Sequence, residues 1–278
     1  MNARKNPNEM SFLEHLEELR WHLIRATVAV LAVAVFVFVF LKSLIFDRIL
    51  FAPAHTGFFT YRALCRLSKV FSTDGLCIEK LPFTLQSLGM AEQFSMHLWI
   101  SFITGVIIAF PYILWEFWKF IRPGLLEKER RYASAFIIIS SMLFFSGILF
   151  GYYVITPLSI NFLGNYTISE SIEKNFQVSS YFSIIKTSVL AAGLMFELPV
   201  IIYFLSKLGL VTQAFLRTYR KHAIVLVLVL AAVVTPPDIL SQIIVTIPVI
   251  LLYEVSIVIA GRIERKLARE EQNEIVKK

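Results

Sequence analysis

The residues with the clearest chemical potential are carboxylates that stand beside long apolar runs. The segment SFLEHLEELR, residues 11–20, has three glutamates directly before the first such run. Ser11 and Glu14 form a capping-box pattern, which predicts a helix. Glu14, Glu17 and Glu18 then fall on one polar face of that helix. The face could be a solvated surface, or it could bind a cationic partner, because carboxylates oppose binding to an anionic membrane surface.

Further acidic positions stand out later in the chain. Glu127 and Glu129 occur in GLLEKERRY, where the adjacent Arg130 and Arg131 could equally neutralise them in an exposed loop. Glu197, in MFELPV, lies inside an apolar run. A charged group at the centre of a membrane helix costs about 2.5–3.5 kcal/mol on insertion scales, so such a residue is a functional candidate by default.

These carboxylates belong to a chain with the composition of a membrane protein. Hydrophobic residues make up 57% of the 278 residues and charged residues only 17%, against about 25% charged in soluble domains. We therefore expect an all-α polytopic membrane protein with a single domain over residues 1–278. The net charge of +7 comes from basic clusters between apolar runs, which indicates membrane topology and no nucleic-acid partner.

Six apolar runs are predicted to cross the membrane. The fifth, in HAIVLVLVLAAVVTPPD, has only about 13 apolar residues, or about 20 Å of helix, against a hydrocarbon core of about 30 Å. A shortened helix there would leave one face of the bundle shallow or concave, although a tilted helix with an ordinary tight loop is the alternative. The other five runs are residues 23–41, 94–115, 133–155, 181–205 and 239–260.

The distribution of Lys and Arg predicts the orientation of the chain. Basic residues concentrate in the N-terminal segment, in the loops after the second and fourth runs, and in the C-terminal tail. The positive-inside rule then places both termini in the cytoplasm. Residues 1–22 are expected to form a cytoplasmic amphipathic entry helix and residues 262–278 a cytoplasmic tail. Residues 46–93 are expected to form a periplasmic cap loop with one or two short helices.

Four motifs occur in order around these runs. They are FLEHLEELR before the first, FIRPGLLEKERR before the third, FELPV in the fourth and TPPDILSQ at the start of the sixth. Together they resemble the TatC family, the polytopic receptor subunit of the twin-arginine protein translocase. The resemblance implies a multi-pass protein of the bacterial inner membrane, which uses the proton gradient and no cofactor. It implies three kinds of partner: twin-arginine signal peptides of folded cargo, TatA- and TatB-type single-span proteins, and further copies of itself.

The resemblance also implies a signal-peptide-binding set on the cytoplasmic face. Glu18, Arg20 and Glu129 match the charged positions of the family motifs, and Phe120 matches an aromatic residue of the same loop. Glu116 stands where relatives often have glutamine, so it adds a carboxylate to this set. The chemistry fits, because a carboxylate accepts two hydrogen bonds from a planar guanidinium and lysine does not reproduce that geometry.

A second implied set lies within the membrane. Glu197 matches the family's intramembrane glutamate, while Asp238 and Gln242 match the polar turn that opens the sixth run. In the family this region docks the single-span partners, so Glu197 and Gln242 are expected to hydrogen-bond a partner helix. Four prolines are given structural roles, at a cap entrance, after Glu197 and after the fifth run: Pro53, Pro199, Pro236 and Pro237.

Cys65 and Cys77 are the two cysteines of the chain, and both lie in the predicted cap. If the cap faces an oxidising periplasm, they could form a disulfide. Closing a loop of about 12 residues is worth about 3 kcal/mol in the chain-entropy model. The alternative is a pair of free or buried thiols, and a mass shift of the intact protein on reduction distinguishes the two.

A receptor is not the only function that this sequence allows. A proton-coupled solute transporter with Glu197 as the relay is the main alternative, since membrane carboxylates in pumps transfer protons. Transporters built from inverted repeats show matched broken helices, and this sequence shows no such match. The sequence also has no nucleotide-binding glycine loop, metal-ligand cluster or nucleophile–base pattern, so it is not expected to be an enzyme.

Overall fold

The computed structural model describes residues 12–71, 77, 81–121, 133–169, 171, 173–235 and 238–276. The described chain is almost entirely helical. Its α-helices are α1 Phe12–Phe40, α2 Phe59–Phe71, α3 Glu92–Ile121, α4 Ala133–Phe150, α5 Thr156–Asn165, α6 Val178–Phe196, α7 Leu198–Lys207, α8 Gln213–Thr218, α9 Arg220–Val234 and α10 Ile239–Val276. Two π-helical segments, Leu44–Leu50 and Gly151–Ile155, and one 3₁₀ helix, Ala52–Ala54, complete the helical structure.

Contacts within the chain define two compact units. One consists of Met1–Arg48 with Ser87–Met142, and the other of Ile49–Gln86 with Leu143–Lys278. The first unit therefore contains α1, α3 and the first part of α4. The second contains the remaining helices and both strands. Each unit is described by itself below.

The first unit is built on α1 and α3, which pack as an antiparallel pair. At one end Phe38 stacks on His97, with ring centroids 4.0 Å apart. Further along, Gly105 lies so close to α1 that a Cβ atom there would sit 2.9 Å from the Cβ of Ala34. A small residue at such a crossing permits close approach of two membrane helices.

The predicted entry helix is not separate from the first span. The structure continues a single helix through α1, because residues 21–25, WHLIR, contain neither glycine nor proline to end it. The amphipathic segment and the apolar run therefore form one rigid rod. A carboxylate near the start of α1 is held in a fixed rotation with respect to the membrane-spanning part.

In the second unit, α6 and α7 form one predicted span that is interrupted at Glu197. Pro199 is the second residue of α7, a position where the missing proline N–H leaves no helical hydrogen bond unmade. The sequence therefore both ends one helix and starts the next at this point. The result is a turn next to an ionisable residue in the middle of an apolar segment.

The shortened fifth helix that the sequence predicts is α9, which has 15 residues and is about 22 Å long at 1.5 Å per residue. Within the described residues, five helical segments are long and apolar enough to cross a membrane: 16–40, 92–121, 135–165, 178–207 and 241–269. α9 falls below the length of these five. The count of six spans and the concave face stay predictions, while the all-α class is confirmed.

A feature that the sequence analysis missed is a small parallel sheet. Strand β1, Thr84–Gln86, pairs with β2, Asn175–Gln177, with Leu85 opposite Phe176. The ring of Phe83 lies 5.5 Å from that of Phe176. Three-residue strands that are about 90 residues apart give no periodic signal in the sequence.

The predicted cap contains α2 and the short helices before it, and tyrosine hydroxyls hold it. Tyr61 is 1% exposed and its hydroxyl lies 3.0 Å from the carbonyl oxygen of Pro53 and 3.2 Å from that of Pro157. Burial raises the pKa of Tyr61, so the hydroxyl keeps its proton as a donor. Tyr181 donates to the carbonyl of Leu50 at 2.8 Å. Pro53 is buried in the 3₁₀ helix, and its structural role stays a prediction.

Close packing of the second unit depends on small residues in two helices. Gly147 of α4 and Gly151, four residues on, form a GxxxG pair that faces α6. A Cβ at Gly147 would lie 2.5 Å from the carbonyl oxygen of Ala192, and one at Gly151 would lie 2.6 Å from that of Ser188. Backbone–backbone contact of this kind is typical of membrane helix interfaces.

Candidate functional site

Among the carboxylates of the first unit whose side chains the structure describes, Glu116 on α3 is the most buried. Its side chain is 2% exposed. One oxygen, Oε2, lies 2.6 Å from Nδ1 of His22 on α1, and the other, Oε1, accepts a hydrogen bond from Nζ of Lys119 at 3.1 Å. An ionised carboxylate only accepts, so Nδ1 of His22 carries the hydrogen. Burial of this charge is thus offset by polar partners from both helices.

The side chains around Glu116 come together through helical spacing on α3. Lys119 and Phe120 follow Glu116 by three and four residues, so the three share one face. The ammonium of Lys119 lies 3.4 Å from the centroid of the Trp115 ring, a cation–π contact. The ring of Phe120 meets that of His22 edge to face, with centroids 6.4 Å apart.

Glu18 is placed one turn before His22 on the same face of α1. It is half-buried, and its Oε2 is shielded from solvent. Within the described part of the chain, no donor hydrogen-bonds to that oxygen. Arg20 instead points to solvent, where its guanidinium lies 3.8 Å from Glu17, and an exposed pair of this kind contributes little to stability.

The predicted signal-peptide-binding residues differ in their surroundings. It brings Glu116 and Phe120 together, with Glu18 on the facing helix. Glu116 differs from expectation, because its carboxylate is buried and already has internal partners: His22, Lys119 and the hydroxyl of Tyr112. Glu129 lies outside the described residues, so its proximity to Glu18 stays a prediction.

The second predicted set lies in the second unit. Glu197 is 7% exposed at the break between α6 and α7. Asp238 immediately precedes α10. Its Oδ2 accepts hydrogen bonds from the backbone N–H of Ser241 at 2.9 Å and from the Ser241 hydroxyl at 2.7 Å. This is an N-cap interaction. Gln242 donates from Nε2 to the carbonyl of Leu228 on α9 at 3.3 Å. Pro236 and Pro237 lie outside the described residues.

Sequence reasoning missed several residues that organise these regions. His22 is the most important of them; its only sequence signal is that it follows Glu18 by four residues. Arg220 at the start of α9 pairs with Glu254 of α10 at 2.6 Å. Each of these pairs joins residues far apart in the chain, which a pattern within one segment does not reveal.

The described helices and buried ionisable residues define a polytopic α-helical membrane protein whose polar groups lie at helix ends and helix breaks. Comparison with known proteins identifies the family to which the chain belongs. Residues 14–248 match the family model for the Sec-independent protein translocase protein TatC. The chain belongs to the TatC family, and it is a multi-pass membrane protein.

Individual relatives agree with this membership over nearly the full chain. The chain is 42% identical to TatC of Blattabacterium sp. subsp. Periplaneta americana over 265 residues, which cover 95% of this chain and 99% of that protein. It is 33% identical to TatCy of Bacillus subtilis over 264 residues, covering 95% and 94%. A crystal structure of the twin-arginine translocase receptor TatC in DDM has 32% identity and a TM-score of 0.68, covering 89% of this chain and all of that one. The predicted family and membrane location are confirmed.

Proposed function

We propose that this protein is the receptor subunit of a twin-arginine translocase in a bacterial inner membrane. Glu18 and Glu129 bind the paired arginines of signal peptides at the cytoplasmic face. The observation that carries the proposal is the contrast between two carboxylates. Glu116 has internal donors, whereas Oε2 of Glu18 has none among the described residues. Glu18 is therefore the carboxylate with capacity to accept hydrogen bonds from a ligand.

The partly buried position of Glu18 favours arginine as that ligand. A guanidinium is planar and offers two parallel N–H donors to one carboxylate. It is also more weakly hydrated than an ammonium, so it costs less to bring into a partly desolvated site. Phe120 supplies an apolar contact for the part of the signal peptide beside the arginines. The receptor needs no catalytic step, and the proton gradient supplies the energy for export.

The test is binding of a twin-arginine signal peptide to the purified protein in nanodiscs. We expect Glu18→Ala and Glu129→Ala each to weaken binding about tenfold, because a hydrogen bond to a charged group contributes about 1.5–3 kcal/mol and partial exposure reduces this. A twin-lysine peptide should bind similarly weakly. Dissociation constants from fluorescence anisotropy provide the measurement.

Glu17→Ala is the matched control for this experiment. Glu17 precedes Glu18, but its side chain is 65% exposed and lies near Arg20. Its removal should change the affinity by no more than about twofold, since exposed charge pairs contribute about 0–1 kcal/mol. Unchanged binding by the Glu18→Ala, Glu129→Ala double variant would remove the proposed role of both residues.

We further propose that TatA- and TatB-type single-span proteins, and other copies of this chain, assemble on the second unit through Glu197. A buried carboxyl at a helix break offers hydrogen-bonding atoms to a passing helix. Gln242 is the second candidate contact, although its amide already donates to Leu228. A partner helix that docks here exchanges contact with lipid for a hydrogen bond to Glu197 or Gln242.

Glu197→Ala should weaken co-purification of a single-span partner roughly 3- to 20-fold, the range for one interhelical hydrogen bond in a membrane protein. Glu197→Gln should retain most of the association, since an amide still hydrogen-bonds. Signal-peptide affinity serves as the internal control and should not change in either variant. Lost peptide binding with normal partner recovery would show that Glu197 has been given the wrong role.

A further inference from the structure

His22 is a residue of α1 that contacts two residues of α3. Its Nδ1 lies 2.6 Å from Oε2 of Glu116, and its ring meets the Phe120 ring with centroids 6.4 Å apart. The His22 side chain is 12% exposed. Because Glu116 and Phe120 are one turn apart, the imidazole bridges a full turn of the facing helix. No function was assigned to His22 from the sequence.

The antiparallel register places Glu18 at the level of Phe120. Glu18 lies one turn before His22, which is about 6 Å along the axis of α1. Phe120 lies one turn after Glu116, about the same distance in the same direction, since α3 runs antiparallel to α1. Any rotation of α1 about its axis at His22 would therefore displace Glu18 from its position opposite Phe120.

Two other contacts between α1 and α3 lie further from Glu18. Ala34, which Gly105 faces, is 16 residues beyond Glu18, and Phe38, which stacks on His97, is 20 residues beyond it. The hydrogen bond from His22 to Glu116 has a preferred distance and angle, and its acceptor is a carboxylate that lies buried. Breaking it would leave that charge with one fewer partner, so the pair resists rearrangement.

We propose that His22 is a positioning residue of the receptor surface: through Glu116 and Phe120 it fixes the rotation of α1, so that Glu18 and Phe120 meet one signal peptide together. The inference rests on the proposed function, because it assumes that Glu18 and Phe120 bind that peptide. His22 acts through these residues and does not itself bind the arginine. The inference predicts that the contribution of Glu18 to the affinity for the peptide depends on His22.

The experiment measures that dependence with a double-mutant cycle on twin-arginine peptide affinity in nanodiscs. His22→Phe retains a ring beside Phe120 and removes the donor to Glu116. We expect it to weaken binding about fivefold, and to reduce the effect of Glu18→Ala from about tenfold to about twofold, within the range of coupling between residues in one network. His22→Gln, whose amide can donate to Glu116, should restore most of the affinity and most of the Glu18 effect.

His97→Phe is the matched control, because it changes the histidine at the other end of the same helix pair, where the ring stacks on Phe38. It should leave peptide affinity and the Glu18 effect unchanged. Equal losses in His22→Phe and His97→Phe would overturn the inference, since they would indicate general weakening of helix pairing. Glu116→Met removes the acceptor at similar volume, and it supplies the same test if His22→Phe is not monodisperse on gel filtration.

The two proposals fail in different ways. If Glu18→Ala alone leaves twin-arginine binding unchanged, the proposed receptor role of Glu18 is wrong. If Glu18→Ala weakens binding tenfold in both the wild-type and His22→Phe backgrounds, the receptor role stands and the positioning role of His22 is overturned. A reduced Glu18 effect in the His22→Phe and Glu116→Met backgrounds, with His97→Phe normal, supports both.

Discussion

Gly151→Leu is expected to lower the free energy of unfolding by about 3 kcal/mol, at the upper end of the usual cost of overpacking. The first side-chain atom alone would lie 2.6 Å from the carbonyl oxygen of Ser188 and 2.8 Å from the Cα of Val189. Both are backbone atoms of α6, so no side-chain rotation relieves the clash. The π-helical segment that starts at Gly151 and α6 would have to separate, with loss of packing along their interface.

The measurement is thermal unfolding of the purified protein in detergent, followed by the fraction that stays monodisperse on gel filtration after heating. Gly57→Leu is the control, because a Cβ at Gly57 would have no atom within 4 Å. The two variants add the same side chain to the same residue type. Equal midpoints for the two variants would contradict the assigned importance of this helix contact.

The helices of this protein could be predicted from the sequence because their signal is local. The second apolar run was predicted over residues 94–115, and it lies within α3, which extends from Glu92 to Ile121. The shortened α9 was also predicted from the order of apolar residues and prolines, whereas the break at Glu197 falls inside the run that was predicted as one span over residues 181–205. Inside a membrane, the backbone hydrogen bonds of each apolar run must be made within that run. An α-helix satisfies this condition.

The partners of the site residues could not be predicted, because they depend on pairs distant in the sequence. His22 and Glu116 are 94 residues apart, and a carboxylate next to aromatic residues in LWEFWKF has the same local pattern whether buried or exposed. From the sequence, Glu116 was expected to add a carboxylate to the signal-peptide-binding set. The sequence does not reveal that this carboxylate already hydrogen-bonds to side chains of α1 and α3. The same reasoning applies to β1 and β2.

The structure contains a disulfide between Cys65 and Cys77. Its removal is the other change that is expected to have a large effect on stability. The Cys65→Ser, Cys77→Ser double variant should lose about 3 kcal/mol, because the crosslink closes a 12-residue separation and restricts the unfolded chain in the entropy model. Hydrogen exchange of α2 and the thermal midpoint are the measurements. Reduction of the wild-type protein should produce the same loss, and it should have no effect on the double variant.

The same bond tests the orientation on which the receptor proposal depends. Disulfides persist in an oxidising compartment and are rare in the cytoplasm. Because α1 is the membrane span between the cap and the N-terminal segment, a cap in the periplasm places Glu18 at the cytoplasmic end of α1. Denaturing intact cells in the presence of a maleimide reagent should leave both cysteines unlabelled unless reductant is added first. Labelling without reductant would show free thiols, and would remove this independent support for a cytoplasmic Glu18.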